Sequence, residues 1–213
     1  MQMKQRARSA SAKLKREDEI VAGAEILLRQ SDYNAVTMQA VAKEVGLAKG
    51  TLYLYFTSRE ALVLSVHGHL FDRWIDRLVD HHRKITCFDG FCRDFVRYYA
   101  EDPLFLKLAG FANALLEPEV DQKAYVKSKR GLARRVKRLA GLVCQQFLIK
   151  PVEAQKLIWG FLTIASGAAQ ITVRPTVTKI DLPNDVIDFN GLVNFETVFL
   201  NAAAPLGADL ISR

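Results

Sequence analysis

Apolar residues recur along most of the chain at the three- and four-residue spacing of amphipathic helices. Between residues 14 and 30 they fall on one face, from Ile20 to Leu28, with charged residues on the opposite face. A longer stripe repeats at every fourth position from Leu62 to Leu78. No segment has the convincing alternation of a β-strand. The pattern therefore predicts an all-α protein of about nine helices.

The N-terminal part of the chain contains two short helical segments joined by a tight turn. Thr37 is placed to cap the second helix of the chain, and Gly46 lies where a residue with positive φ would end it. A third helix covers roughly residues 48–55, and Thr57 with Glu60 fits a capping box for the long helix that follows. Three helices with a tight turn between the second and third form a helix-turn-helix pattern.

The rest of the chain continues the helical pattern. The uncharged run between Lys156 and Arg174 is interpreted as a buried helix, because it falls just short of a membrane span and contains glycines and polar residues. The last helix is predicted at about residues 188–203. The basic N-terminal segment lacks an apolar core, so we expect no secretory signal there.

The third helix carries the candidate chemistry. Leu52 and Phe56 share a helical face and are predicted to pack in the core, whereas Tyr53 and Tyr55 cannot share one. A helix in the major groove of DNA has a phosphate strand on each side, and a phenol hydroxyl donates well to phosphate oxygen. The outward candidates are the charge of Lys49, the bare backbone of Gly50, the hydroxyl and methyl of Thr51, and the phenols of Tyr53 and Tyr55. Leu54 either touches a thymine methyl or is merely exposed.

Composition favours the same kind of partner. The 213-residue chain is 50% hydrophobic, which suits a sizeable core, and its net charge of +7 favours an anionic partner such as nucleic acid. The three cysteines form no CxxC pair, so we expect reduced thiols in the cytoplasm and neither disulfides nor a zinc site. No phosphate loop, nucleophile elbow or paired-carboxylate motif is present, so the sequence predicts neither an enzyme nor a cofactor.

Residues 37–62, TMQAVAKEVGLAKGTLYLYFTSREAL, resemble the DNA-binding signature of the TetR/AcrR family of transcriptional regulators. The resemblance covers roughly residues 14–62, and it implies a homodimer with a regulatory domain on the C-terminal side. It also implies phosphate and base contacts at the positions that match the motif. Ala48 departs from the family pattern, which often has a capping Ser or Thr there. The matching residues are Thr37, Lys49, Gly50, Thr51, Tyr53, Tyr55 and Arg59.

The resemblance and the helical pattern together predict three segments. Residues 1–13 form a basic flexible arm, residues 14–57 the helix-turn-helix DNA-binding domain, and residues 58–213 the helical regulatory and dimerisation domain. The arm is either a disordered tail or a source of further DNA contacts. We expect a ligand-responsive regulator, by default a repressor, that binds a palindromic operator as a homodimer and is released by a small molecule.

Two sets of residues are assigned to the regulatory domain. Aromatic side chains between helices are expected first in the core, and some could line a ligand pocket. Small residues in the last two long helices would let two copies approach closely, with apolar side chains beside them. The ligand candidates are Trp74, Phe91, Phe95, Tyr98, Phe111, Asn113 and Trp159. The dimer candidates are Gly160, Ala165, Gly167, Ala168, Phe195, Val198 and Phe199.

Other features leave alternatives open. The basic face of residues 127–138 is either solvated, attractive to an acidic ligand such as an acyl-coenzyme A, or close to DNA. His67 and His69 have the wrong spacing for shared ligation, so no metal is predicted. A redox role for Cys87 and Cys92 has no support beyond their proximity in sequence. The rival function is a DNA-bound structural protein of the same fold that has no small-molecule ligand.

Overall fold

The protein is described by a computed structural model that covers residues 2–31, 33–81, 87–112, 116–172 and 183–211. Within these ranges the chain forms ten α-helices and no strand, which confirms the predicted all-α class. Short 3₁₀ turns lie at Tyr33–Ala35 and Glu117–Glu119. The helices are α1 (Gln2–Gln30), α2 (Met38–Glu44), α3 (Lys49–Tyr53), α4 (Arg59–His81), α5 (Phe88–Ala100), α6 (Pro103–Phe111), α7 (Gln122–Phe147), α8 (Pro151–Thr172), α9 (Asn184–Leu192) and α10 (Phe195–Ile211).

The first helix is longer than the sequence pattern predicts. It includes residues 2–13, which were expected to form a flexible arm. This stretch contains neither glycine nor proline and is rich in Lys, Arg, Gln and Ala, which are all good helix formers. Local propensity therefore extends α1 toward the N-terminus, ahead of Ile20, the first buried residue within 11–30.

The last predicted helix, at about residues 188–203, is divided into α9 and α10. Val193 has extended backbone angles, with φ −116° and ψ 106°. The side-chain oxygen of Asn194 then accepts a hydrogen bond from the backbone N–H of Thr197 at 2.8 Å. This is the bond of an N-cap residue, so Asn194 begins a new helix where the apolar spacing alone indicated continuity.

The cap of α4 also differs from the prediction. Ser58, rather than Thr57, is the N-cap residue, because the Ser58 hydroxyl accepts a hydrogen bond from the backbone N–H of Ala61 at 3.0 Å. The carboxylate of Glu60 does not close a capping box with Thr57; it pairs with Arg59 at 2.9 Å. Two adjacent hydroxyl residues compete for this role, and only the helix start selects between them.

The chain divides into two compact units. The first unit contains Met1–Gly68 and Ala114–Ser128, and the second contains His69–Asn113 and Lys129–Arg213. The predicted boundary between residues 57 and 58 lies inside the first unit, and the functional division of the chain stays a prediction. None of the described helices, α8 included, combines the length and the hydropathy that crossing a bilayer requires.

Aromatic side chains fill the core of the second unit. The indole N–H of Trp74 donates to the backbone carbonyl of Phe95 at 3.2 Å, and the two rings meet edge to face at 4.6 Å. Phe199 of α10 stacks on Phe95 with ring centroids 5.1 Å apart and also contacts Phe161 of α8. These offset and edge-to-face pairs hold α10 against α5 and α8.

Candidate nucleic-acid interface

The first unit packs α1 closely against the segment that leads into α3. Ile20 and Ala24 on α1 are fully buried. A Cβ atom built at Gly23 would overlap the Cγ1 methyl of Val45, so only glycine permits this approach. Leu52 and Phe56 are also buried, at 0% and 3% exposure, which confirms the predicted core of the head.

A Schellman turn joins α2 to α3. Gly46 has φ +67°, in the left-handed region that glycine adopts without strain. The backbone N–H of Leu47 donates to the Ala42 carbonyl at 2.8 Å, and that of Gly46 donates to the Lys43 carbonyl at 3.3 Å. This pair of bonds ends α2 and turns the chain at a fixed angle. The predicted positive φ at Gly46 is confirmed.

The face of α3 opposite Leu52 is open to solvent. Lys49 and Gly50 are exposed, and Tyr53 and Leu54 are 44% and 74% exposed. Thr51 and Tyr55 are half-buried. The structure therefore brings five of the seven predicted DNA-binding residues together on or beside one short helix. Their contact with DNA stays a prediction. The five are Lys49, Gly50, Thr51, Tyr53 and Tyr55.

Gly50 is the residue of this face that packing within the chain does not explain. A Cβ atom built at Gly50 meets no atom of the described residues within 4 Å. Its backbone is helical, so it does not need the left-handed conformation of Gly46. The helix thus presents bare backbone between the charge of Lys49 and the phenol of Tyr53.

Thr37 and Ala48 are the N-cap residues of α2 and α3. The Thr37 hydroxyl accepts a hydrogen bond from the backbone N–H of Ala40 at 3.1 Å, which confirms it as the N-cap of α2. The hydroxyl keeps its own hydrogen available for donation to an acceptor such as phosphate. Ala48 is the N-cap of α3 and has no side-chain acceptor, so the first N–H groups of α3 lack a side-chain cap.

Arg59 is set apart from the exposed face. Its guanidinium carbon lies 4.4 Å from the centre of the Tyr33 ring, and its Nε donates to Glu60 at 2.9 Å. The Tyr33 hydroxyl also donates to Glu60, at 3.4 Å. Burial raises the pKa of Tyr33, and the charge of Arg59 opposes that rise. A contact between Arg59 and DNA, which stays a prediction, would have to compete with these partners.

The predicted ligand residues differ in how deeply they are buried. Trp74, Phe91, Phe95 and Tyr98 are buried, and Phe111 is half-buried. Trp159 is 48% exposed, so the expectation that it lies in the core is wrong. It sits on the face of α8 opposite the buried Phe161, where it turns to the surface. Asn113 lies outside the described residues.

The predicted dimer residues are mostly inside the protomer. Ala165 and Phe199 are fully buried, and Phe199 already packs against Phe95 and Phe161 of its own chain. Residues so enclosed cannot also supply surface to a second copy. The dimer candidates excluded by their burial are Ala165, Ala168, Phe195 and Phe199. The partly exposed ones, for which the prediction stands, are Gly160, Gly167 and Val198.

Three of the seven basic residues in 127–138 of α7 form ion pairs. Arg135 makes a two-bond contact with Asp72, at 2.8 and 2.6 Å, and Arg138 pairs with Asp76 at 2.7 Å. Lys127 pairs with Glu17. The sequence could not identify these partners, because each acid belongs to a distant part of the chain.

The other open features give no reactive site. Burial raises the pKa of the Cys92 thiol to about 12, so it is protonated and unreactive at neutral pH. Among the residues that the structure describes, no three His, Cys, Asp or Glu side chains are grouped to hold a metal ion.

A three-helix head that presents a short exposed helix after a Schellman turn defines the class of helix-turn-helix DNA-binding proteins. Residues 20–66 match the family model described as bacterial regulatory proteins, tetR family. Residues 68–183 match the model for the tetracyclin repressor-like C-terminal domain, which covers more than half of the chain. The chain therefore belongs to the TetR family of transcriptional regulators.

Two curated relatives are similar over part of their length. The uncharacterized HTH-type transcriptional regulator YuxN of Bacillus subtilis is 39% identical over 54 residues, which are 25% of this chain and 19% of that protein. The HTH-type transcriptional regulator AlkX of Mycobacterium tuberculosis is 28% identical over 139 residues, which are 62% of this chain and 63% of that protein. The matches thus span less than two thirds of either relative.

Solved structures share the fold over most of their length. The TetR family repressor AlkX from Dietzia has a TM-score of 0.57 and 17% identity, with coverage of 92% of this chain and 96% of that one. FadR from Bacillus subtilis, solved in complex with stearoyl-CoA, has a TM-score of 0.53 and 15% identity, covering 91% and 97%. At these identities the similarity shows the fold alone.

Proposed function

We propose that the protein is a ligand-responsive repressor that binds a palindromic operator as a homodimer and is released from it by a small molecule. The observation that carries the proposal is the open face of α3, where bare backbone at Gly50 lies between Lys49 and Tyr53. Such a face suits close approach to base edges, with a cation and a phenol placed for phosphate oxygens. Membership of the TetR family supports DNA as the partner.

The palindromic operator follows from the homodimer. Two identical heads related by a twofold axis read two inverted half-sites. Their recognition helices must lie about 34–36 Å apart to enter successive major grooves on one side of the duplex. Exposed apolar residues remain on the two helices predicted to pair the copies, namely Trp159 on α8 and Leu206 on α10. A Cβ atom built at Gly160 would lie 3.0 Å from Leu206, so these helices are already in close contact there.

The small molecule would bind among the aromatic residues of the second unit. Trp74, Phe91, Phe95 and Tyr98 are buried and would supply its apolar contacts, and the Tyr98 hydroxyl accepts a hydrogen bond from Arg97 at 2.9 Å. A ligand that binds the DNA-incompetent dimer more tightly releases the operator in proportion to that difference in affinity. Stearoyl-CoA, which the Bacillus subtilis FadR binds, is a suitable first compound to test.

The experiment is selection of random-sequence duplexes on the wild-type protein, followed by titration of variants with the recovered duplex. Lys49→Ala is expected to weaken binding to every recovered sequence and to reduce the salt slope by about one, because one phosphate contact is lost. Thr51→Ala is expected to relax one position in each half-site, at a cost of about 1–3 kcal/mol. Lys150→Ala, which removes an exposed charge between α7 and α8, is the matched control for net charge.

Three results would contradict this function. They are a selection that enriches no sequence, a salt slope that Lys49→Ala leaves at the wild-type value, and a consensus that Thr51→Ala leaves identical. The rival, a DNA-bound structural protein without a ligand, predicts many dispersed sites in a genome-wide binding map. The repressor predicts few sites, each a near-palindrome upstream of a gene.

A further inference from the structure

The start of α7 belongs to the unit that contains the DNA-reading head. Residues 114–128 group with residues 1–68, although 45 residues separate the two segments in sequence. The remainder of α7 belongs to the second unit. The first turns of α7 therefore have a role in the head that the helix-turn-helix pattern does not include.

Lys127 connects α7 to two parts of the head. Its ammonium group forms an ion pair with Glu17 of α1, whose side chain is only 19% exposed. The same Nζ atom lies 5.9 Å from the centre of the Phe56 ring, within the range of a cation–π contact. Phe56 is buried and lies three residues beyond the end of α3. One side chain thus contacts both the first helix and the end of the reading segment.

Asp121 makes a second connection. Its carboxylate accepts a hydrogen bond from the backbone N–H of Ala124 at 2.7 Å and so caps α7. The Ala124 N–H and the Thr57 hydroxyl both lower the pKa of Asp121 by donating to its charged form. Thr57 lies in the link between α3 and α4. The carboxylate that caps α7 therefore lies beside the Thr57 hydroxyl in the link that follows α3.

We propose that Lys127 and Asp121 are positioning residues for DNA recognition, which hold α1 and the end of α3 against the first turn of α7. The proposal rests on the proposed function, since it concerns the same reading face. Helix α3 has only five residues, too few to hold its own orientation, so its direction depends on what its ends contact. At the N-terminal end of α3 the Schellman turn supplies that contact. Beyond the C-terminal end of α3, Phe56 and Thr57 are the residues that α7 contacts.

The competing role for Lys127 is direct contact with a DNA phosphate, because its side chain is 60% exposed. The substitution Glu17→Gln distinguishes the two roles, because they predict opposite changes in operator affinity. If Lys127 acts through Glu17, Glu17→Gln weakens operator binding, because the pair is lost. If Lys127 contacts phosphate, Glu17→Gln tightens binding, because a negative charge beside that contact is removed.

The experiment measures four variants on the duplex that wild-type protein selects and on a scrambled duplex of equal length. They are Glu17→Gln, Lys127→Gln, the double variant, and the exchange Glu17→Lys with Lys127→Glu. We expect each single change to weaken specific binding about two- to fivefold, the range of an exposed ion pair. Binding to the scrambled duplex and the salt slope should stay at wild-type values. The double variant should lose no more than either single one, and the exchange should restore most of the affinity.

Two further variants serve as controls. Lys127→Arg keeps the pair and should bind as wild type, and Arg130→Gln removes an exposed charge from the next turn of α7 and should leave the ratio of specific to scrambled binding unchanged. Asp121→Ala removes the acceptor for the Ala124 N–H and the Thr57 hydroxyl, so it should lower specific binding. The salt slope should not change, because Asp121 carries no positive charge to exchange for counterions.

Several outcomes would overturn the proposal. If Lys127→Gln reduces the salt slope by one and Glu17→Gln binds the operator more tightly, Lys127 contacts a DNA phosphate instead. Equal losses on both duplexes, together with a lower melting temperature, assign the pair to fold stability alone. Unchanged specific binding in all variants removes any role. Failure of the wild-type protein to select a duplex would refute the proposed function itself, and it would be visible before any variant is made.

Discussion

Gly46 and Gly50 lie four residues apart and are glycine for different reasons. Gly46 has φ +67°, and a larger residue there would be strained whatever the space around it. Gly50 has ordinary helical geometry and open space where a Cβ would stand. Glycine is a poor helix former, so Gly50 lowers the stability of α3. No packing contact at this position within the described part of the molecule compensates for that loss. Under the proposed function, glycine at position 50 lets the backbone of α3 approach the base edges closely.

Gly50→Ala tests this reason directly. We expect the free energy of unfolding to stay the same or to rise by about 0.5–1 kcal/mol, because alanine is the better helix former. Operator affinity should fall roughly tenfold or more, as expected when the closest base contacts are lost. Urea unfolding and a DNA titration measure the two effects. Unchanged affinity would show that the backbone of α3 does not approach the bases closely.

The helices themselves were largely predictable, because each is defined by local spacing and local caps. Thr37 and Gly46 mark helix ends as the sequence indicated. The incorrect predictions concern places where more than one residue could begin a helix. Ser58 replaces Thr57 as a cap, and Asn194 divides one predicted helix into two. In both cases the residue types were suitable, and the register of the neighbouring helix selected among them.

The packing of α1 against the turn before α3 depends on Gly23. Gly23→Ala is expected to destabilise the head by about 1–3 kcal/mol, because the added methyl overlaps Val45 and a β-branched side chain cannot move aside cheaply. Chemical unfolding measures the loss. Adding Val45→Ala to Gly23→Ala should recover part of it, because the overlapping methyl is removed. A Gly23→Ala protein as stable as wild type would contradict the close contact.

The proposed homodimer must use surface that the protomer leaves open. Trp159 and Leu206 are 48% and 42% exposed and belong to α8 and α10, the helices through which we predict that two copies pair. Leu148, in the turn between α7 and α8, is 91% exposed and provides an apolar reference position outside those helices. These three residues allow an interface to be distinguished from general surface hydrophobicity.

Trp159→Glu combined with Leu206→Glu is expected to convert the dimer to a monomer, because two charges would be buried without partners. Sedimentation at several protein concentrations measures the change. Affinity for the full palindrome should fall toward that of one half-site. Leu148→Glu should leave both properties at wild-type values. A double variant that remains dimeric would place the interface elsewhere on the chain.

Local spacing was enough to establish the all-α class and to separate Leu52 and Phe56 from the open face of α3. A helix repeats every 3.6 residues, so neighbouring positions already specify which side is apolar. The contacts of Glu17 with Lys127, 110 residues apart, had no such signal. The burial of Phe199 and the exposure of Trp159 had no local signal in the sequence either. Those depend on which helices meet and at what rotation, and only packing across the folded chain specifies that.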